Sequence, residues 1–224
     1  MKDERQKVIE FPVHRRGSLA DTLSGFPDRE DGLPTEVRRR EQPLSLLVAE
    51  LRGHAAVASS RGSEAADAAT MRAVVRTVDV LRSAGGDQVA VGGTTEQPVV
   101  WAEFRGDGHA AAAVRAGAAA RDIIGGEIRP SIGVNSGVVV DTTFGGTVPV
   151  AYRAMGTLRM FAVRLQEFAG PGDVYAAETT VAGVPPGIAS FRPVGPVRTN
   201  AGGETSGAYA LVELVSRARS AGSA

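Results

Sequence analysis

The stretch RPSIGVNSGVVVDTTFGGTVPVAYRAMGTLRMFAVRLQEFAGPGDVYAAETT, Arg129 to Thr179, restricts the fold more than any other part of the chain. An apolar run from Ile132 to Val134 passes through Ser136-Gly137 into a second run, Val138 to Val140. That pattern predicts two short strands joined by a bend or tight turn. A third strand is expected near Val148 to Ala151. Met155-Gly156 then opens a helix whose residues Leu158, Phe161, Ala162, Leu165 and Phe168 recur at helical spacing, and Pro171-Gly172 stops it before a strand at Val174 to Ala176.

The remainder of the chain extends this pattern in both directions. Leu44 to Leu51, LSLLVAEL, is a nearly continuous apolar run of the kind used by a strand buried on both faces. Ser63 to Ser83 reads as a long helix, with Met71, Val74, Val75, Val78 and Leu81 as its core face, Ser63 as N-cap and Gly85-Gly86 as stop. Gln88 to Val91 and Val99 to Phe104 form a hairpin around residues 92–98. Asp107 is positioned to cap a helix from His109 to Ile124, and strands are expected at Ile188 to Pro193 and Gly207 to Leu214. Residues 1–43 mix acids, bases, Pro and Gly without sustained periodicity. They read as an arm in which Val8 to Val13 is apolar enough to dock as an edge strand. The expected division is an arm over 1–43, one domain over 44–214 and a tail over 215–224.

Composition excludes several functions. A formal net charge of +0 argues against holding nucleic acid by bulk electrostatics. The absence of cysteine excludes disulfides and thiolate metal sites. No apolar run approaches membrane-spanning length, and the N-terminus MKDERQK lacks a signal-peptide core, so a cytoplasmic location is expected. His14, His54 and His109 have no metal-ligand spacing and read as solvent-facing. Gly145-Gly146 reads as a turn, because no helix carrying Lys-Ser/Thr follows it.

The order of elements closely resembles the class III nucleotidyl cyclase catalytic domain. Ile132-Gly133-Val134-Asn135-Ser136-Gly137-Val138-Val139-Val140 is similar to that family's IGIHTGEVV. Met155-Gly156 through Arg164-Leu165-Gln166 is similar to IGDAVNLAARLQ, and Ala169-Gly170-Pro171-Gly172-Asp173-Val174 to A-x-PGEI. The resemblance covers about Leu44 to Leu214 and implies an α+β domain with a ferredoxin-like βαββαβ core and added elements. It also implies an active site between two subunits, where a 3′-hydroxyl attacks an α-phosphorus while two magnesium ions held by acids neutralise the developing charge.

On this resemblance Glu50 occupies the position of the first metal acid. The alternative for Glu50 is a strand-end acid facing solvent. The hairpin tip, where the second metal acid is expected, holds Glu96-Gln97-Pro98, so Glu96 is the candidate there, although Pro98 beside it disfavours an unaltered hairpin. In the helix, the base-reading Asp is replaced by Thr157 and the ribose-binding Asn by Met160, which make up the substrate-binding positions. The phosphate-binding Arg is retained as the catalytic candidate Arg164, although with its companions replaced an ordinary solvated residue beside Glu167 is the favoured reading of it. The position of the base-reading Lys, near Ala90 or Val91, is not basic.

The sequence therefore points to a cyclase-type domain that lacks catalysis and acts as a dimerising signalling or regulatory module. Two alternatives stay open: an atypical cyclase using Glu50 and Glu96, or the helper half of a heterodimer with an active cyclase. The expected partners are a second copy of the chain and, as a further candidate, another protein, with weak or no nucleotide binding. No cofactor is expected, and magnesium or manganese enters only if the atypical-cyclase alternative holds.

Overall fold

A computed structural model describes residues 37–123, 126–144, 150–198 and 205–215. The elements run β1 Val37–Arg52, α1 His54–Arg61, α2 Ser63–Ser83, β2 Asp87–Gly93, β3 Pro98–Arg105, α3 His109–Ile123, β4 Arg129–Phe144, β5 Val150–Ala154, α4 Thr157–Phe168, β6 Val174–Ala177, α5 Glu178–Ala182, β7 Ala189–Arg198 and β8 Thr205–Leu214. The sheet order is β2-β3-β1-β4-β6-β8-β7, with β5 added to β4. Of the pairings, β4 with β6 is parallel and the others are antiparallel. The first six core elements, β1-α2-β2-β3-α3-β4, give the ferredoxin-like βαββαβ arrangement. The expected docking strand Val8 to Val13, His14, the turn at Gly145-Gly146 and the tail beyond Val215 lie outside the described residues.

β1 is the spine of the domain, because both of its faces are covered. Leu47, Ala49 and Leu51 enter the core shared with α2 and α3, while Leu44, Leu46 and Val48 pack against Leu158 and Ala162 of α4. Burial on both faces explains why the sequence is apolar without alternation. β1 begins at Val37, upstream of Leu44, because β4 continues to Phe144 and pairs with it along its whole length.

Several expectations are corrected. Residues Ile132 to Val140 form one strand, with Ser136 and Gly137 paired to Ser45 and Leu44 inside it. Gly137 is needed for packing, since a Cβ there would stand 2.9 Å from Leu158 Cδ1. Ser63 is the first helical residue of α2, and Gly62 precedes it with no side-chain cap. Met71 and Val75 face outward, and the buried stripe is Ala66, Thr70, Ala73, Val74, Thr77 and Leu81. These mostly small residues let α2 sit close to the alanine-rich α3. Asp107 stays in the exposed turn, and the first helical bond of α3 runs from the Ala112 N–H to the Gly108 carbonyl. Phe168 is 62% exposed, and Ala169, at the end of α4, takes the buried place instead.

Candidate functional site

Glu50 lies near the C-terminal end of β1, in register with Val99 of β3 and Ser131 of β4. Period-2 alternation directs it to the α4 side together with Leu46, Val48 and Arg52. Its Oε2 accepts from Arg52 Nε at 2.9 Å and from the Arg52 terminal nitrogen at 2.7 Å. Gln166 of α4 donates its side-chain amide to the same oxygen. Arg52 also donates to the Ala169 carbonyl at 3.2 Å. Glu50 is therefore held by a guanidinium and an amide, and the four residues tie the end of β1 to the end of α4.

Glu96 belongs to the turn joining β2 and β3. The hairpin forms despite Pro98, which opens β3 opposite Gly93. The turn is closed by Thr94 N–H to the Gln97 carbonyl at 3.3 Å and Gln97 N–H to Thr94 Oγ1 at 3.1 Å. Glu96 is exposed there. Among the described residues, no three His, Asp or Glu side chains converge as a metal site would need. A pair of hard-oxygen-bound divalent cations needs acids free to coordinate. With Glu50 already paired with Arg52, the described residues do not fit such a pair.

The outward face of α4 carries Thr157, Met160 and Arg164. Thr157 opens the helix and lines a cavity of about 520 Å³ together with Asn135, Ser136 and Thr179. Met160 is 52% exposed. Arg164 is exposed and donates to Glu167 at 2.7 Å, one helical turn away. These three residues share a helix side but are not brought to Glu50 within one chain. The other side of α4 faces the open half of the sheet. There Arg159 lies over the Trp101 ring, 5.5 Å from its centroid, and a groove of about 360 Å³ is lined by Leu46, Val48, Val99, Met155 and Val163. Ala90 pairs with Trp101 at the rim of this region, and Val91 next to it is exposed.

On the opposite face of the sheet, a chain of buried hydroxyls crosses from α5 to α3. Thr180 Oγ1 donates to the Val134 carbonyl at 3.2 Å, Ser136 Oγ donates to Thr180 at 3.0 Å, and Ser136 meets Ser45 Oγ at 2.6 Å. The Ser136 proton is committed to Thr180, so Ser45 donates to Ser136 and must accept from His109 Nδ1 at 2.7 Å. This proton count assigns the Nδ1–H tautomer to His109. Burial pushes the His109 pKa below its ordinary value of 6.5. His109 thus differs from a solvent-facing residue. His54 does too, because its ring is largely buried and meets Asp67 Oδ1 at 2.9 Å.

Sequence reasoning missed Arg52, Gln166, Trp101 and Arg159. Signals for two of them were present. Glu50 and Arg52 stand two apart on a strand, which puts opposite charges on one face, and Trp101 is the chain's single tryptophan.

No protein-family model and no curated protein matches the sequence. The fold matches solved structures well. The adenylyl cyclase CyaB from P. aeruginosa superposes with a TM-score of 0.62 at 16% identity, covering 79% of this chain and 96% of that one. The guanylate cyclase domain of RhGC from Catenaria anguillulae, solved with GTP, gives 0.59 at 15% identity, covering 78% and 99%. The non-canonical dimeric guanylyl cyclase domain of the RhoGC fusion protein from Blastocladiella emersonii gives 0.60 at 14% identity, covering 78% and 99%. The ferredoxin-like core, the β4-α4-β6 segment and these superpositions agree: the chain has the fold of the class III nucleotidyl cyclase catalytic domain.

Proposed function

We propose that this domain no longer cyclises nucleotides and works as a dimerising signalling or regulatory module in the cytoplasm. The observation that carries the reading is the Glu50–Arg52 pair. At Glu50, where the family resemblance implies a metal acid, this chain supplies its own cation, two residues along the same strand. A magnesium ion binding there would have to displace a guanidinium that is itself anchored to Ala169. Supporting this, Thr157 and Met160 stand where the family resemblance implies an acid and an amide for reading substrate, and a thioether cannot replace amide hydrogen bonds. No helix among the described residues is long and apolar enough to cross a membrane.

The test is a cyclase assay on the purified full chain with ATP or GTP and either magnesium or manganese. No cyclic nucleotide is expected. Each lost contact removes several kcal/mol of transition-state stabilisation, and about 1.4 kcal/mol corresponds to a factor of ten in rate. Product that forms with the native chain and disappears in Glu50→Ala would overturn the reading in favour of an atypical cyclase. Product that forms only after mixing with an active cyclase subunit, and requires Arg164, would favour the helper role. Nucleoside triphosphates are expected to bind no more tightly than high micromolar, measured by calorimetry.

A further inference from the structure

The open half of the α4-bearing sheet face has a chemistry that dimerisation alone does not require. The Trp101 ring lies across Gly92, where a Cβ would come within 3.0 Å of the indole. Any side chain at position 92 would lift the ring off the strand, so glycine lets the indole lie flat and form one wall. Leu46, Val48, Val99, Met155 and Val163 supply the rest of a groove of about 360 Å³. Its two other polar side chains differ in availability. Gln166 is committed to Glu50. Arg159 has its guanidinium over Trp101 and no carboxylate partner among the described residues.

An apolar trough bordered by an exposed guanidinium with no carboxylate partner among the described residues has a definite complement. The apolar body of a ligand gains by leaving water for the trough, and an anionic head gains a charge-assisted hydrogen bond from a planar donor already positioned over an aromatic ring. The geometry points to this groove as a binding site for a small amphipathic monoanion, of the class represented by a medium-chain carboxylate. A nucleoside triphosphate suits it poorly, because about four negative charges would face one guanidinium at the edge of an apolar trough. A neutral apolar molecule would leave Arg159 without its counter-charge. This inference rests on the proposal that the cleft does not serve magnesium and nucleotide.

The chain carries its own reporter, since Trp101 is its only tryptophan. Full-length protein is titrated with sodium decanoate below its micelle concentration while Trp101 fluorescence is followed, with decanol as the neutral comparator. A saturable change is expected with decanoate at concentrations where decanol gives none. Arg159→Gln should weaken decanoate binding about ten-fold or more, and Arg115→Gln, on the exposed side of α3, should leave it unchanged. Absence of a saturable response, equal affinity in Arg159→Gln, or equal binding of decanol would each overturn the site. Cyclic nucleotide production is measured separately. Its appearance sinks the non-catalytic reading, whereas failure to bind decanoate without product formation sinks only this inference.

Discussion

Glu50 and Arg52 form the pair on which the non-catalytic reading depends, and their energetics can be tested directly. The Glu50 side chain is 16% exposed and that of Arg52 30%, so neither charge is fully hydrated. Removing the guanidinium leaves a carboxylate with only the Gln166 amide as its partner. Arg52→Ala should therefore destabilise the domain by about 1 to 3 kcal/mol, read by urea unfolding. In a double-mutant cycle with Glu50→Gln the coupling should be about 0.5 kcal/mol or more; additivity of the two changes would mean that the pair is not a functional unit. His109 gives a pH-dependent counterpart. Its folded-state pKa is lowered by burial, so the folded protein binds fewer protons than the unfolded chain just below pH 6.5. The stability attached to its neutral form is intact above the unfolded pKa and declines as pH falls from there toward the folded pKa. His109→Asn keeps a donor toward Ser45 but cannot titrate. Its loss of stability between pH 7 and 5 should be smaller than that of the native chain, and equal losses would remove His109 from the account.

Between elements, α4 lies directly against the backbone of β4. A Cβ on Gly133 would stand 2.1 Å from the Ala162 carbonyl oxygen and 2.5 Å from the Gln166 nitrogen, both of them backbone atoms that cannot turn aside. At Gly137 the obstruction is the tip of the Leu158 side chain, which can change rotamer. Gly133→Ala should therefore cost about 3 kcal/mol and Gly137→Ala about 1 kcal/mol, judged by the shift of the urea midpoint. Equal losses would mean that α4 can lift from the sheet as a body. Because Gln166 rides on this helix, Gly133→Ala should also loosen the amide from Glu50, whereas Gly137→Ala, near the other end of α4, should not.

For the molecule as a whole, association is the property to measure. Met160 at 52%, Phe168 at 62% and Val138 at 62% exposure are large apolar side chains with no partner layer among the described residues. Exposed apolar area of this kind marks an interaction surface when it is contiguous. Sedimentation of the full chain at micromolar concentration is expected to give a dimer. Met160→Ser with Phe168→Ser should shift the population to monomer while the far-UV circular dichroism stays native. A native chain that sediments only as monomer would count against dimerisation.

The sequence by itself determined most of the elements, and their arrangement was what the family resemblance implied. Unbroken apolar runs marked the central strands, helical spacing marked α2 and α4, and the glycines and prolines between them marked most boundaries. These signals are local, and a chain with one periodicity per segment admits few ways to bury every apolar face. The joining of Ile132 to Val140 into one strand was not legible, because Ser136-Gly137 carries the composition of a turn and becomes a strand only when β1 pairs alongside and Leu158 passes over the glycine. The same limit applied to the candidate site. Sequence placed Glu50, Glu96, Thr157, Met160 and Arg164 at the positions that the resemblance implied. Only the tertiary structure decided that Gln166, distant in sequence, reaches Glu50 and that Trp101 and Arg159 share a groove. Periodicity specifies which face a residue takes. Which atom it meets depends on the approach of two elements to within a few ångströms, and that distance is set by packing the whole core.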